Sequence, residues 1–227
     1  MQACWVPKGE RLTMRDFSVD ALTTATWPAF AALVERHKGV WGGCWCLAFH
    51  AEGKEAGPQR RQLKEQRVQA GTAHAALVFD GQQCVGWCQY GPPHELPRIK
   101  HLRVYNQDQD GPPDWRITCF FVDKDYRGQG VAAAALAGAV NQIARLGGGR
   151  VESYPEDTTG RKVSAGFLYN SRLALFESQG FVRERRLGKH HWVVVRTVRR
   201  QASTMQSPHQ VSNPHDEESS HASAPAP

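Results

Sequence analysis

The sequence changes its period sharply between Arg116 and Leu146. Arg116-Ile-Thr-Cys-Phe-Phe-Val122 is a strongly apolar, β-rich run. It passes through Asp123-Lys-Asp-Tyr-Arg127-Gly128-Gln129-Gly130 into VAAAALAGAVNQIARLG. There Leu136, Val140, Ile143 and Ala144 recur at helical spacing, and the density of Ala favours helix on propensity alone. Gly147-Gly148-Gly149 stops it. A strand that feeds a long helix through a glycine-rich turn fits a chain whose helices pack on a sheet.

The turn also has chemical meaning. The first N–H groups of a helix have no intrahelical acceptor, and the helix dipole favours an anion there. Glycines let phosphate oxygens approach the backbone, so a diphosphate suits this segment. It is not a dinucleotide fingerprint, which needs G-x-G-x-x-G and a later acidic residue, nor a P-loop, whose Lys-Ser/Thr end is missing. An ordinary glycine-containing helix start remains the alternative reading of this segment.

Around this junction the pattern predicts further elements. Asp20 to His37 reads as helix, with Trp27, Phe30, Leu33 and Val34 on one face and Pro28 marking the regular start. Gly57 to Ala70 has helical composition. Ala75–Phe79 and Cys84–Tyr90 form a hairpin around Asp80-Gly81. Arg150–Tyr154 is a short strand, Ala165–Gln179 a helix stopped by Gly180, and 181–185 and 191–198 two more strands. The fold class is α+β, with one domain over residues 1–200. Residues 201–227 have no aromatic residue and are dominated by Ser, Pro, His and Ala, which predicts a disordered tail.

Composition narrows the function. Hydrophobic residues make up 41% of the chain, enough for a core, and no run approaches 18 uncharged apolar residues, so no membrane partner is expected. The start, MQACWVPKGER, lacks an apolar signal core, which predicts a cytoplasmic protein with free thiols. Residues 1–200 hold 28 Lys and Arg against 19 Asp and Glu, a balance of +9, with −3 in the last 27 residues. The basic residues are scattered rather than striped, so a polyphosphate ligand accounts for them without nucleic acid. Cys44-Trp45-Cys46 with His50 resembles part of a metal site, but no second paired cluster follows, so no metal is expected.

The Arg127-x-x-Gly130-x-Ala132 pattern after an apolar strand resembles the pyrophosphate signature of the GNAT superfamily of N-acetyltransferases. Phe176-Glu177-x-x-Gly180-Phe181 matches a second motif of that superfamily, and Cys44-Trp45-Cys46 with Glu152-Ser-Tyr-Pro155 resembles a bacterial subgroup. The resemblance covers residues 10–198. It implies a mostly antiparallel sheet flanked by helices with splayed central strands. It also implies acetyl-CoA as co-substrate and a small-molecule or peptide amine as acceptor, attacked in a ternary complex. Carried onto this chain, Phe121 and Val122 would meet the pantetheine arm, and Arg127, Gly128, Gln129, Gly130, Val131 and Ala132 the diphosphate. Cys44, Trp45 and Cys46 would belong to the acceptor wall.

Phe176 stands where many relatives have a proton-donating Tyr, so Tyr169 on the same helix is the candidate acid. Glu152 is the candidate base, with Glu95 and Asp114 behind it, and Cys119 is expected to line the cleft. A catalytically idle acyl-CoA-binding sensor is the rival reading, because Phe176 cannot give a proton.

Overall fold

The computed structural model describes residues 16–54, 57–107, 109 and 111–201. The segment read as a tail lies outside the described residues from 202 onward. Seven strands form one sheet, in the order β1-β2-β3-β4-β5-β7-β6. They are β1 Ser18–Ala21, β2 His74–Asp80, β3 Gln83–Gly91, β4 Trp115–Val122, β5 Gly149–Ser153, β6 Val182–Leu187 and β7 His191–Val198. Every neighbouring pair is antiparallel except β4 and β5. The helices are α1 Trp27–Arg36, α2 Arg60–Gln69, α3 Leu102–Tyr105, α4 Val131–Arg145 and α5 Leu173–Ser178. The expected α+β class with a mostly antiparallel sheet is what the chain forms.

Local chemistry explains most of these elements. Pro28 sits in the first turn of α1, where its missing N–H costs no hydrogen bond, and Trp27, Phe30, Ala31, Leu33 and Val34 turn inward. The sequence reading carried this helix back to Asp20. Residues 18–21 instead pair with β2 as an edge strand, and the Thr23–Thr26 hydroxyl and amide contacts fill the bend between them. The β2–β3 hairpin closes as expected, with Asp80 opposite Gln83 and Gly81 at a φ of 57°.

One face of the sheet packs α1, α2 and the 40–49 segment into a core around Phe30, Leu33, Leu47 and Trp87. The other face packs α4 and α5 around Leu136, Ile143, Phe120 and Phe176. Alternation along each strand sends successive side chains to the two cores. Phe121 thus joins the first core and Phe120 the second.

The helix expected over 165–179 is a correction. Ala165–Phe167 forms one 3-10 turn and only Leu173–Ser178 is α-helical. Between them the chain is drawn toward β4: Phe120 N–H donates to the Tyr169 carbonyl at 2.7 Å, and Asn170 Nδ2 donates to the Thr118 carbonyl at 2.6 Å. Ser171 then turns at a φ of 62°. Those tertiary bonds outweigh a weak helical propensity, and Tyr169 is not a helix residue.

Gly86 fixes how α4 meets the sheet. A Cβ there would lie 2.7 Å from Val131 Cγ1 and 2.8 Å from the Phe121 carbonyl oxygen, and the latter belongs to a paired strand that cannot retreat. Gly86→Ala is therefore expected to destabilise the fold by about 1–3 kcal/mol. Denaturant titration reads this directly, and an unchanged midpoint contradicts it.

Candidate functional site

The site begins where β4 and β5 part. They pair in parallel through Trp115–Val151, Arg116–Glu152 and Ile117–Ser153, after which β5 ends and β4 continues to Val122. A register shift against β3 falls between Gln89 and Tyr90, opposite Thr118, so β4 carries a bulge at the parting point. Phe120 N–H and the Thr118 carbonyl point into the splay, as their bonds to residues 169 and 170 show. Strand alternation directs the main-chain groups of Val122 the same way. Those of Phe121 face Trp87 on β3, so Phe121 contributes its side chain alone.

A cavity of about 470 Å³ lies along this end of β4. Phe121, Val122, Arg127, Gly128, Gly130, Val131 and Ala132 all line it, facing Leu168, Ser171, Arg172 and Leu175. Gln129 is not on its wall; Gln129 Nε2 instead donates to the Asp125 carbonyl at 2.8 Å. Gly128 and Gly130 have φ of 75° and 88°, and a Cβ at either would meet nothing within 4 Å. The wall carries Arg127 and Arg172 and no Asp or Glu. A 15-residue helix begins there, so the cavity has the charge and donors that an anionic group needs.

Asp123 anchors the turn. It accepts from Arg36 Nη2 at 2.8 Å, lies 3.2 Å from His37 Nε2, and caps the following 3-10 turn through Asp125 N–H. Burial works against its charge, but Arg36, His37 and the Asp125 amide hold the carboxyl below its ordinary range. The end of α1 is thereby tied to the start of α4.

A second cavity, of about 340 Å³, adjoins the first, and Trp41 lines both. Cys44, Cys46, Phe49, Ile99, Cys119 and Tyr169 form its walls, with Arg98 and Lys100 also lining it. Trp41 is 37% exposed and stands edge-on to Phe121, with ring centroids 6.3 Å apart. Lys38, Val40, Trp41, Trp45 and Cys46 all have left-handed backbone, with φ between 46° and 54°. Each such residue costs about 1–3 kcal/mol, so the surrounding packing must hold the segment in this form.

The expected acceptor triplet divides. Cys44 and Cys46 line the second cavity, whereas Trp45 packs into the core against Trp27, with centroids 6.1 Å apart, beneath Arg61. Tyr169 lines the same cavity and packs on Phe49; burial, Glu156 and Cys119 push its phenol above the ordinary value. Phe176 is buried between Phe120 and Phe181 and has no route to either cavity wall.

Glu152 lines neither cavity. It is fully buried, receives Tyr105 Oη at 2.8 Å and Tyr154 Oη at 3.3 Å on one oxygen, and receives Arg150 Nη2 at 3.0 Å on the other. Its oxygens are thus engaged in a buried network with Tyr105, Tyr154 and Arg150. Glu95 lies against His74, and Asp114 accepts the Arg150 amide; neither lines either of these two cavities.

Sequence reasoning missed the groups behind the second cavity. Gln89 Nε2 donates to the Cys46 carbonyl at 3.0 Å and to His50 Nε2 at 2.9 Å, while Gln89 Oε1 accepts from Cys46 Sγ at 3.1 Å and Thr118 Oγ1 at 3.2 Å. Lys64, on α2, is 1% exposed and reaches His50 Nε2 at 3.5 Å. Burial, Lys64 and Arg67 push the His50 imidazole down to about 2, so it is neutral. A lysine in a polar helical stretch reads as solvated, and no pattern in the sequence signals that it turns inward. Among the described residues, no cluster of three His, Cys, Asp or Glu could hold a metal ion.

Solved structures of similar shape include a Corynebacterium glutamicum acetyltransferase related to histone acetyltransferase HPA2. It is 17% identical over 83% of this chain and 98% of that one, with a TM-score of 0.46. The ribosomal-protein-S18-alanine N-acetyltransferase of Escherichia coli is 13% identical over 84% and 99%, with a TM-score of 0.46. The PaiA N-acetyltransferase of Thermoplasma acidophilum, solved with coenzyme A, is 12% identical over 80% and 99%, with a TM-score of 0.47. No curated protein matches the chain. The sequence profile of the Acetyltransferase (GNAT) family matches residues 32–164, more than half of the chain, and by that match the protein belongs to the GNAT acetyltransferase family.

Proposed function

We propose that the protein moves an acetyl group from acetyl-CoA to an amine held in the second cavity, by direct attack of the amine on the thioester. The observation that carries this reading is the pair of adjoining cavities at the splay of β4 and β5, one suited to an anion and one built largely from apolar walls. In this reading the main-chain N–H groups from Arg127 to Ala132 hold the diphosphate, Gln129 contributing backbone alone. Arg127 and Arg172 add positive charge. The pantetheine arm extends along β4 like an added strand. The Val122 N–H meets the thioester carbonyl, where a fixed donor stabilises developing negative charge. Bringing amine and thioester together supplies about 7–11 kcal/mol of the barrier without any covalent enzyme intermediate. Tyr169, kept protonated by its surroundings, is the wall residue suited to protonate the departing thiolate.

The second cavity also suggests a class of acceptor. Its wall carries Arg98 and Lys100 and no carboxylate, and among the described residues neither cation has an ion-pair partner. A polycation would meet like charge there, whereas an aromatic or aliphatic amine with a neutral or anionic flank would not.

Thermal shift with acetyl-CoA, followed by CoA release over phenethylamine, phenylalanine and spermidine, tests the reading. Stabilisation by acetyl-CoA is expected, with either aromatic amine ahead of spermidine. Absence of any acetyl-CoA stabilisation would sink the proposal. Stabilisation without CoA release from a broad amine panel would favour an acyl-CoA-binding module.

Ala132→Glu puts a carboxylate in the first turn of α4, where the helix tolerates it but a diphosphate does not. Affinity for acetyl-CoA should fall about tenfold or more, equivalent to roughly 1.4 kcal/mol, in calorimetry; equal affinity removes the diphosphate assignment. Glu152→Gln should lower the Tm yet leave kcat near wild type. A loss of about 10²–10⁴-fold would restore Glu152 as the base. Tyr169→Phe should slow the release of CoA, and an unchanged rate removes its role as acid.

A further inference from the structure

The segment from Leu96 to His101 is pinned from several sides. The Leu96 carbonyl accepts from Arg116 Nη1 at 2.9 Å, and the Arg98 N–H donates to the Phe49 carbonyl at 3.1 Å. Ile99 is buried with Tyr105, Tyr154, Leu187 and Val193, and the His101 ring meets His191 edge-on, with centroids 5.8 Å apart. These contacts set Arg98, half-buried, and Lys100, exposed, on the wall of the second cavity.

Arg98 differs from the other arginines that are withdrawn from solvent. Arg60, Arg67, Arg116, Arg150, Arg185 and Arg196 are buried or half-buried too, and each donates to a carbonyl or carboxylate oxygen. Among the described residues the Arg98 guanidinium has neither a hydrogen bond nor an ion pair. None of its nitrogens is sealed off, so the fork opens on the cavity it lines. Partial burial of a charge is normally offset by such oxygens. The protein supplies none here, and an occupant of the cavity can.

The rest of the wall describes that occupant. Trp41, Ala48, Phe49, Ile99 and Tyr169 carry no charge near neutral pH, and the Cys46 thiol already donates to Gln89 Oε1 at 3.1 Å. No Asp or Glu lines the cavity. Its volume of about 340 Å³ is at the small end of the range for small-molecule sites. The occupant is therefore small and mainly apolar, with one negative group at Arg98. The planar fork of a guanidinium matches a carboxylate through two parallel hydrogen bonds, which an ammonium cannot do. Lys100, being exposed, adds only a screened attraction at the rim. An acetyl acceptor must also bring an amine.

We propose that the acceptor is a free amino acid with an apolar side chain, and that Arg98 selects it by holding its carboxylate. The proposal rests on the reading of the second cavity as the acceptor site of an acetyl-CoA-dependent transfer. A peptide N-terminus offers the same amine but has an amide where the carboxylate stands, so it leaves Arg98 without a partner. Arg98 thereby separates single amino acids from chain ends.

The test uses the full chain and follows CoA release with phenylalanine, leucine and methionine, each beside its carboxamide. The carboxamide keeps the size, side chain and amine and removes the negative charge, as a peptide N-terminus does. Its amine is also less basic, so each pair is read through the change in its kcat/KM ratio between wild type and variant, in which amine basicity cancels. In Arg98→Gln the ratio of amino acid to carboxamide should fall about 10–100-fold, the range for a hydrogen bond to a charged group. The fall should come chiefly from a higher KM for the amino acid. Arg98→Lys, which keeps the charge and loses the fork, should fall between the two. Lys100→Gln should move the ratio by less than about fivefold.

A fall below about fivefold in Arg98→Gln overturns the assignment, as does an equal fall in Lys100→Gln. CoA release with the carboxamides and with no amino acid overturns the acceptor class and points to a peptide N-terminus instead. Absence of release with every member of the set overturns it as well. Failure of the acetyl-CoA reading is separate, since it would appear as absent thermal stabilisation of wild type by acetyl-CoA before any amine is added.

Discussion

The parallel contact between β4 and β5 lasts for three residue pairs and then stops, and the functional half of the molecule is organised by that stop. A strand buried in the middle of a sheet cannot leave its N–H and C=O groups unpaired without cost. Here the segment after the 3-10 turn supplies what β5 does not: the Tyr169 carbonyl takes the Phe120 N–H and the Asn170 amide serves the Thr118 carbonyl. The splay is therefore filled at its base and widens toward Val122, where α4 begins. Both cavities sit on this one departure from regular pairing, and β4 lines each of them, through Phe121 and through Cys119.

Much of this arrangement is legible in the residues. The apolar strand, the glycine turn and the Ala-rich helix fall where their periods and propensities put them, because each is decided locally. The hairpin at Asp80-Gly81 and the start of α1 at Pro28 are local in the same way. β1 escapes notice because it is four residues long, mostly exposed, and is a strand only by virtue of its pairing with β2. The segment 165–172 reads as helix because its composition permits one, and hydrogen bonds to a strand some fifty residues earlier decide otherwise.

The candidate site is legible in proportion to how far backbone geometry defines it. The helix-terminus cavity follows from glycine positions, and seven of the eight expected residues, 121–122 and 127–132, line it, with Gln129 turned aside onto Asp125. The side-chain chemistry follows from burial, which no spacing reveals. Glu152 looks like a cleft carboxylate by position, yet two tyrosines and an arginine occupy its oxygens. Lys64 looks like one more surface charge on a polar helix, yet it is buried and reaches His50. Both side chains are buried, which neither spacing nor composition reveals.

Trp41 gives the two cavities a shared boundary. Its ring belongs to both walls, it stands edge-on to Phe121, and its own backbone is left-handed at a φ of 46°. A ring held on a strained segment cannot shift for one occupant without reshaping the room left for the other. An occupant that displaces the indole from one cavity wall displaces it from the other as well.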